Sequence, residues 1–153
     1  AGTERGVDEP QATFSPCFGG PFLTLHPLRY AELLKQKLEQ HKSKVYLVNT
    51  GWVGGSPSSG ASRISIKNTR NIITSILDGS IEKANFSEEN YFGLLVPKSL
   101  ASVDTDILNP ENIWKDKTQY EKVVRNLSKM FRDNFKQYGP EVEYLEEYGP
   151  KVN

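Results

Sequence analysis

The feature that most constrains this chain is a helical repeat near its end. Tyr120, Val123, Val124, Leu127, Phe131 and Phe135 recur at the three- and four-residue spacing of one helix face. Asp116 stands where it can cap such a helix, with Gln119 three residues on, and Gly139-Pro140 end it. The pattern predicts an amphipathic helix with those six residues as its buried stripe.

Two further helices are predicted upstream. Over residues 27–41, Tyr30, Leu34 and Leu38, with Ala31 close by, form one face, and Glu32, Lys35, Lys37 and Glu39 take the others. Pro27 suits the first turn. From Ser65 the helical period returns, with Ile66, Ile73, Ile76 and Leu77 on one face and Gly79 placed to stop it. Between these segments Val45-Tyr46-Leu47-Val48 is a continuous apolar, β-rich run, the pattern of a strand covered on both faces as in a parallel sheet. Tyr91 to Val96, closed by Pro97, reads as another strand, and Phe22-Leu23-Thr24-Leu25 and Ala12-Thr13-Phe14 as shorter ones, the last opening a Gly- and Pro-rich loop through Pro21. Residues 98–115 read as irregular, with turns around Asn109-Pro110. The expected class is α/β, a mixed sheet with packed helices.

With 153 residues, the chain suits one domain. Nineteen Lys and Arg balance nineteen Asp and Glu, so the overall field argues for neither nucleic acid nor an anionic membrane as partner. No apolar run approaches the ~20 residues that a spanning helix needs. The single Cys17 excludes an internal disulfide framework, which fits a reducing compartment, and cytosol is the expected location. The first residues show no charged segment followed by an apolar one, so no secretory signal is visible, and there is no starting Met.

Chemistry is concentrated between Gly51 and Arg70. A Gly-rich segment between a strand and a helix can present backbone N–H groups and a positive helix end to an anion. Gly55-Ser56-Pro57-Ser58-Ser59-Gly60-Ala61-Ser62 follows the phosphate-loop spacing, but Ala61 stands where a lysine must meet the outer phosphates. A mobile surface loop is the plainer reading. Arg63, Lys67 and Arg70 follow; a cation at the start of a helix is unfavourable unless an anion is near, so a ligand-facing arginine and a solvated basic face are both open. Elsewhere the chain is poor in catalytic groups. His26 and His41 are far apart, no Cys or His pair has metal spacing, and Glu88-Glu89 and Glu146-Glu147 read as solvated charge. His26, before Pro27, reads as structural at the start of a helix. Trp52 and Trp114 could stack on a base, although burial is the commoner fate.

Collinear blocks then carry a resemblance. Gly2-Thr3-Glu4, Glu9-Pro10-Gln11-Ala12-Thr13-Phe14-Ser15, Cys17-Phe18-Gly19, Leu25-His26-Pro27, Tyr46 to Trp52, Arg63-Ile64-Ser65-Ile66-Lys67, Thr69-Arg70 and Ile107-Leu108-Asn109-Pro110 resemble the ATP-dependent phosphoenolpyruvate carboxykinases. The similarity runs to about residue 138. It implies that residues 1–139 are the C-terminal part of the ATP-binding mononucleotide domain of such an enzyme, with residues 140–153 an acidic, aromatic tail. It further implies oxaloacetate and ATP as substrates, phosphoenolpyruvate, carbon dioxide and ADP as products, a divalent metal, Mg or Mn, and a place in gluconeogenesis.

Carried over residue by residue, the resemblance puts Arg63, Ile64 and Thr69 around the adenine and ribose of ATP. It places no catalytic residue and no metal ligand in this chain, since the family's phosphate loop, metal ligands and oxaloacetate-binding arginine lie upstream of residue 1. The isolated chain is therefore expected to be inactive and, with apolar faces uncovered, to self-associate. Ala61-Ser62-Arg63 departs from the family's usual Gly-Lys-Arg, and the Gly54 to Ser62 segment is longer or richer in serine. A non-catalytic nucleotide-binding or scaffolding module of the same fold is the alternative.

Overall fold

The computed structural model describes residues 6, 13–15 and 19–151, apart from the Pro57 side chain. Ala12 and the Pro16-Cys17-Phe18 part of the expected N-terminal loop lie outside the described residues, and Thr13 and Phe14 carry no regular structure. The described residues fall into two compact units, one drawn from Ala1–Leu47 and Asn134–Tyr144, the other from Val48–Asp133 and Leu145–Asn153.

In the first unit, helix α1 spans Pro27–His41, as its spacing predicts. The His26 ring caps it by accepting the Leu28 N–H at 3.3 Å through Nδ1, so the structural reading of this histidine holds. Lys42, at φ 52°, ends the helix in the left-handed conformation. His26 also packs edge-on to Tyr138 and lies 3.7 Å from Glu141. The short strand expected at Phe22-Leu23-Thr24-Leu25 is absent; a 3₁₀ turn at Gly20–Phe22 replaces it, with Phe22 N–H bonded to Gly19 O.

The strand expected at 45–48 is also not formed. Residues 43–50 have no regular structure, and Leu47 is 81% exposed. A strand exists only as part of a ladder, and this apolar run has none among the described residues. The mixed sheet built around it is therefore corrected: among the described residues the sheets are two antiparallel pairs, consistent with a piece of an α/β protein.

The second unit begins with strands β1, Trp52–Val53, and β2, Ser62–Arg63, paired with Trp52 opposite Arg63. Helix α2, Ile66–Leu77, follows; Ser65 caps it by accepting the Asn68 N–H at 3.1 Å. Gly79 adopts φ 74° just past its end, as expected of a stop. The predicted inward face of α2 is overturned: Ile66 is 72% and Leu77 81% exposed, while Ser75 is buried. Polar bonds set this orientation. Asn68 accepts the Asp104 N–H through Oδ1, and Asn71 donates to the Ser102 carbonyl, so the asparagine side of the helix faces the 102–104 loop.

Strands β3, Phe86–Glu88, and β4, Leu95–Pro97, make the second hairpin. The strand predicted from Tyr91 begins four residues late because the Glu89 carboxylate accepts the N–H groups of Tyr91 and Phe92 and bends them into a turn. The segment expected to be irregular holds a 3₁₀ turn, Thr105–Leu108, and helix α3, Pro110–Ile113, capped by Asn109. Helix α4 spans Lys117–Phe135, and Asp116 caps it by accepting the Gln119 N–H at 3.0 Å, as predicted.

The buried stripe of α4 is rotated from the expected one. Tyr120, Val124 and Ser128 are its buried residues, whereas Val123, Leu127 and Phe131 stay substantially exposed. An aromatic group sets the rotation: Tyr120 packs against Trp114 and Tyr91, at 5.8 and 6.2 Å between ring centres. Among the described residues no helix is long and apolar enough to cross a membrane.

Candidate functional site

The predicted site residues fall on one short stretch of the second unit. Arg63 ends β2, Ile64 follows, Ser65 caps α2, and Thr69 lies in that helix with its N–H on the Ser65 carbonyl. The pairing of β2 continues past the strand, because Ile64 N–H donates to Gly51 O at 3.0 Å. Arg63 reaches the same segment with its side chain, donating from Nη2 to Thr50 O at 3.5 Å.

Directly opposed residues of an antiparallel pair share a face, so Trp52 and Arg63 lie side by side on the hairpin. Trp52 is 43% exposed, leaving part of its side chain accessible next to the exposed Arg63. Trp114 has the other fate considered for a tryptophan, packed half-buried against Tyr120. Ile64 is half-buried, as is Thr69, while Lys67 and Arg70 are exposed. The arrangement offers a planar cation, an aliphatic wall and a hydroxyl between residues 63 and 69, with an aromatic ring opposite the cation across the hairpin.

The Gly-rich segment between the strands is not a phosphate cradle. It closes as a hairpin tip, returning to β2 instead of opening into a helix, with a 3₁₀ turn at Pro57–Ser59. The hydroxyl of Ser59 donates to Ser56 O and fills the space beside Gly55, where a methyl group would lie 2.4 Å from it. A phosphate-binding loop needs that space open and its N–H groups convergent. The positive end of α2 is meanwhile occupied by the Ser65 cap.

A polar cavity of about 190 Å³ lies elsewhere in the second unit, lined by Glu88, Glu89, Tyr91, Lys98, Glu111 and Tyr120 among others. None of Arg63, Ile64 and Thr69 lines it. Burial, and then the carboxylates of Glu89 and Glu111, push the Tyr120 phenol up to about 12. The Lys151 ammonium, bonded to Glu88, holds that carboxyl below its ordinary value. Much of this polar lining is already engaged in holding the fold. Among the described residues there is no group of three or more His, Cys, Asp or Glu side chains that could hold a metal ion. They do not fit a divalent metal.

Comparison with known proteins defines the class first. The family model described as phosphoenolpyruvate carboxykinase matches residues 1–106. The chain belongs to the phosphoenolpyruvate carboxykinase family, in its ATP-dependent branch. It is 53% identical over 99% of its length to the phosphoenolpyruvate carboxykinase (ATP) of Campylobacter jejuni strain 81-176, of which it covers 29%. The proteins of the same name from Sulfurimonas denitrificans and Caldanaerobacter subterraneus are 50% and 46% identical, again over 99% of this chain and 29% of theirs. The chain thus spans less than a third of the length of these relatives.

Proposed function

We propose that this chain supplies the adenine and ribose side of the ATP site in an enzyme that converts oxaloacetate and ATP to phosphoenolpyruvate, ADP and carbon dioxide in gluconeogenesis. The observation that carries the reading is the Arg63 guanidinium, exposed at a hairpin edge beside Trp52 and followed by Ile64 and the capped helix that bears Thr69. Family membership supports it. In this reading residues 1–139 are the C-terminal part of the ATP-binding domain, residues 140–153 are its tail, and the enzyme works in the cytosol.

Each side chain has a physical role in such a site. Ile64 presents an apolar surface to the base, Arg63 offers a planar cation that can stack on the base or bond the ribose, and the Thr69 hydroxyl can donate or accept at the ribose. In the reaction the C3–C4 bond of oxaloacetate breaks to release carbon dioxide; the enolate oxygen then attacks the γ-phosphorus and ADP leaves. The residues described here orient the nucleotide for that attack, a matter of proximity and alignment. The Mg or Mn ion expected from the family finds no group of three or more His, Cys, Asp or Glu side chains among the described residues. The 153-residue chain alone is inactive and self-associates through apolar side chains such as Ile66, Ile73 and Leu77.

Titration of the full natural chain with ATP, with and without Arg63→Ala, tests the reading. Loss of a charged hydrogen bond or stack weakens ATP binding about tenfold. Unchanged affinity in Arg63→Ala overturns the assignment.

A further inference from the structure

We propose that Asn49 is a positioning residue for the nucleotide-facing edge formed by Arg63 and Ile64; the proposal rests on the nucleotide reading above and assigns a residue that the reading does not include. Asn49 Oδ1 accepts the Gly51 N–H at 2.8 Å, closing a turn over Thr50. That turn aims two consecutive carbonyls at two consecutive residues of the returning chain. Thr50 O receives the Arg63 guanidinium at 3.5 Å, and Gly51 O receives the Ile64 N–H at 3.0 Å. One side-chain acceptor therefore governs both the tether of the arginine and the placement of the isoleucine.

The surroundings make this acceptor decisive. Residues 48–50 carry no regular structure, so no ladder fixes how they approach the hairpin. The fit is also close: a methyl group on Gly51 would lie 3.0 Å from Asn49 Oδ1, inside ordinary van der Waals contact. Rotation of the Thr50-Gly51 segment would turn both carbonyls away from residues 63 and 64. A short side chain with an sp² oxygen is required at position 49. Aspartate provides one, and alanine does not.

The test compares steady-state kinetics of Asn49→Ala, Asn49→Asp and Arg63→Ala in the full natural chain, with tryptophan fluorescence following ATP binding directly. Asn49→Ala is expected to raise KM for ATP and the fluorescence-derived Kd by about fivefold, the net worth of one hydrogen bond. Both kcat and KM for oxaloacetate should stay near wild type, and Asn49→Asp should restore ATP affinity. Should Asn49→Ala fail to fold, Gly51→Ala, which presses on Oδ1, is expected to give the same selective loss.

Unchanged ATP affinity in the alanine variants overturns the proposal. So does a parallel decline of every kinetic parameter with thermal stability, or an Asn49→Asp variant no better than Asn49→Ala. If Arg63→Ala weakens ATP binding and Asn49→Ala does not, positioning by Asn49 fails alone. If Arg63→Ala has no effect, the nucleotide reading fails and takes this proposal with it.

Discussion

The Lys151 ammonium lies 2.7 Å from Glu88 Oε1, joining residues 63 positions apart. Two more bonds accompany it: Lys151 N–H donates to Tyr91 O at 2.6 Å, and Arg132 Nη1 donates to Pro150 O at 2.9 Å. Pro150 and Lys151 are thus docked, fastening the β3–β4 hairpin to α4.

Lys151→Ala should return the Glu88 carboxyl toward its ordinary value, which an NMR titration of Glu88 would show directly. Because the folded-state value is lowered, the pair's stabilisation is present above the unfolded glutamate range and disappears as pH falls through the folded-state value. Wild type and variant should therefore differ in stability near neutral pH and converge in acid. The difference will be modest, since both side chains are about half exposed.

Tyr120 predicts a change at the alkaline end. Its phenol is pushed up to about 12, so the folded protein keeps a proton that the unfolded chain loses near 10. Stability from this group is complete below the unfolded value and is lost as pH rises from about 10 toward 12. Absorbance titration should show one late-ionising tyrosine, and Tyr120→Phe should remove it while keeping the ring contacts with Trp114 and Tyr91.

Ser128 is fully buried and donates to the Val124 carbonyl at 2.9 Å. Ser128→Ala should shift stability by less than about 1 kcal/mol, because the hydroxyl only adds to a carbonyl of the helix ladder. Ser128→Leu should cost about 3 kcal/mol by overpacking, and chemical denaturation distinguishes the two.

Gly54 and Gly60 make a matched pair of tests, with φ near 77° and 78°. An alanine at either strains the backbone by about 1 kcal/mol. At Gly54 the methyl would also lie 2.8 Å from Ile113 Cγ2, whereas at Gly60 nothing stands within 4 Å. Gly54→Ala should therefore cost at least about 2 kcal/mol, twice the effect at Gly60, and Ile113→Ala should recover part of the difference in a double-mutant cycle.

Self-association of the 153-residue chain is checked by sedimentation. Ile73→Glu with Leu77→Glu should lower the average mass toward that of a monomer, because both side chains are solvent-facing in the folded unit and their replacement leaves its core intact.

The sequence by itself determined what local chemistry decides: the three long helices, the cap at Asp116, the stop at Gly79, the structural role of His26, and family membership through collinear blocks. These depend on spacing along one backbone and on bonds between residues a few positions apart. Tertiary structure alone decided which helix faces turn inward. Asn68 and Asn71 outweigh Ile66 and Leu77 on α2 because their bonds to the 102–104 loop span some thirty residues of sequence. The same holds for Val45 to Val48, whose apolar run meets every local requirement of a strand but lacks a neighbouring ladder among the described residues. Around the candidate site, the sequence alone proposes the block from Arg63 to Thr69, whereas it does not disclose the turn at Asn49 that aims two carbonyls at Arg63 and Ile64. That link depends on how separate segments meet in space, which periodicity and composition do not encode.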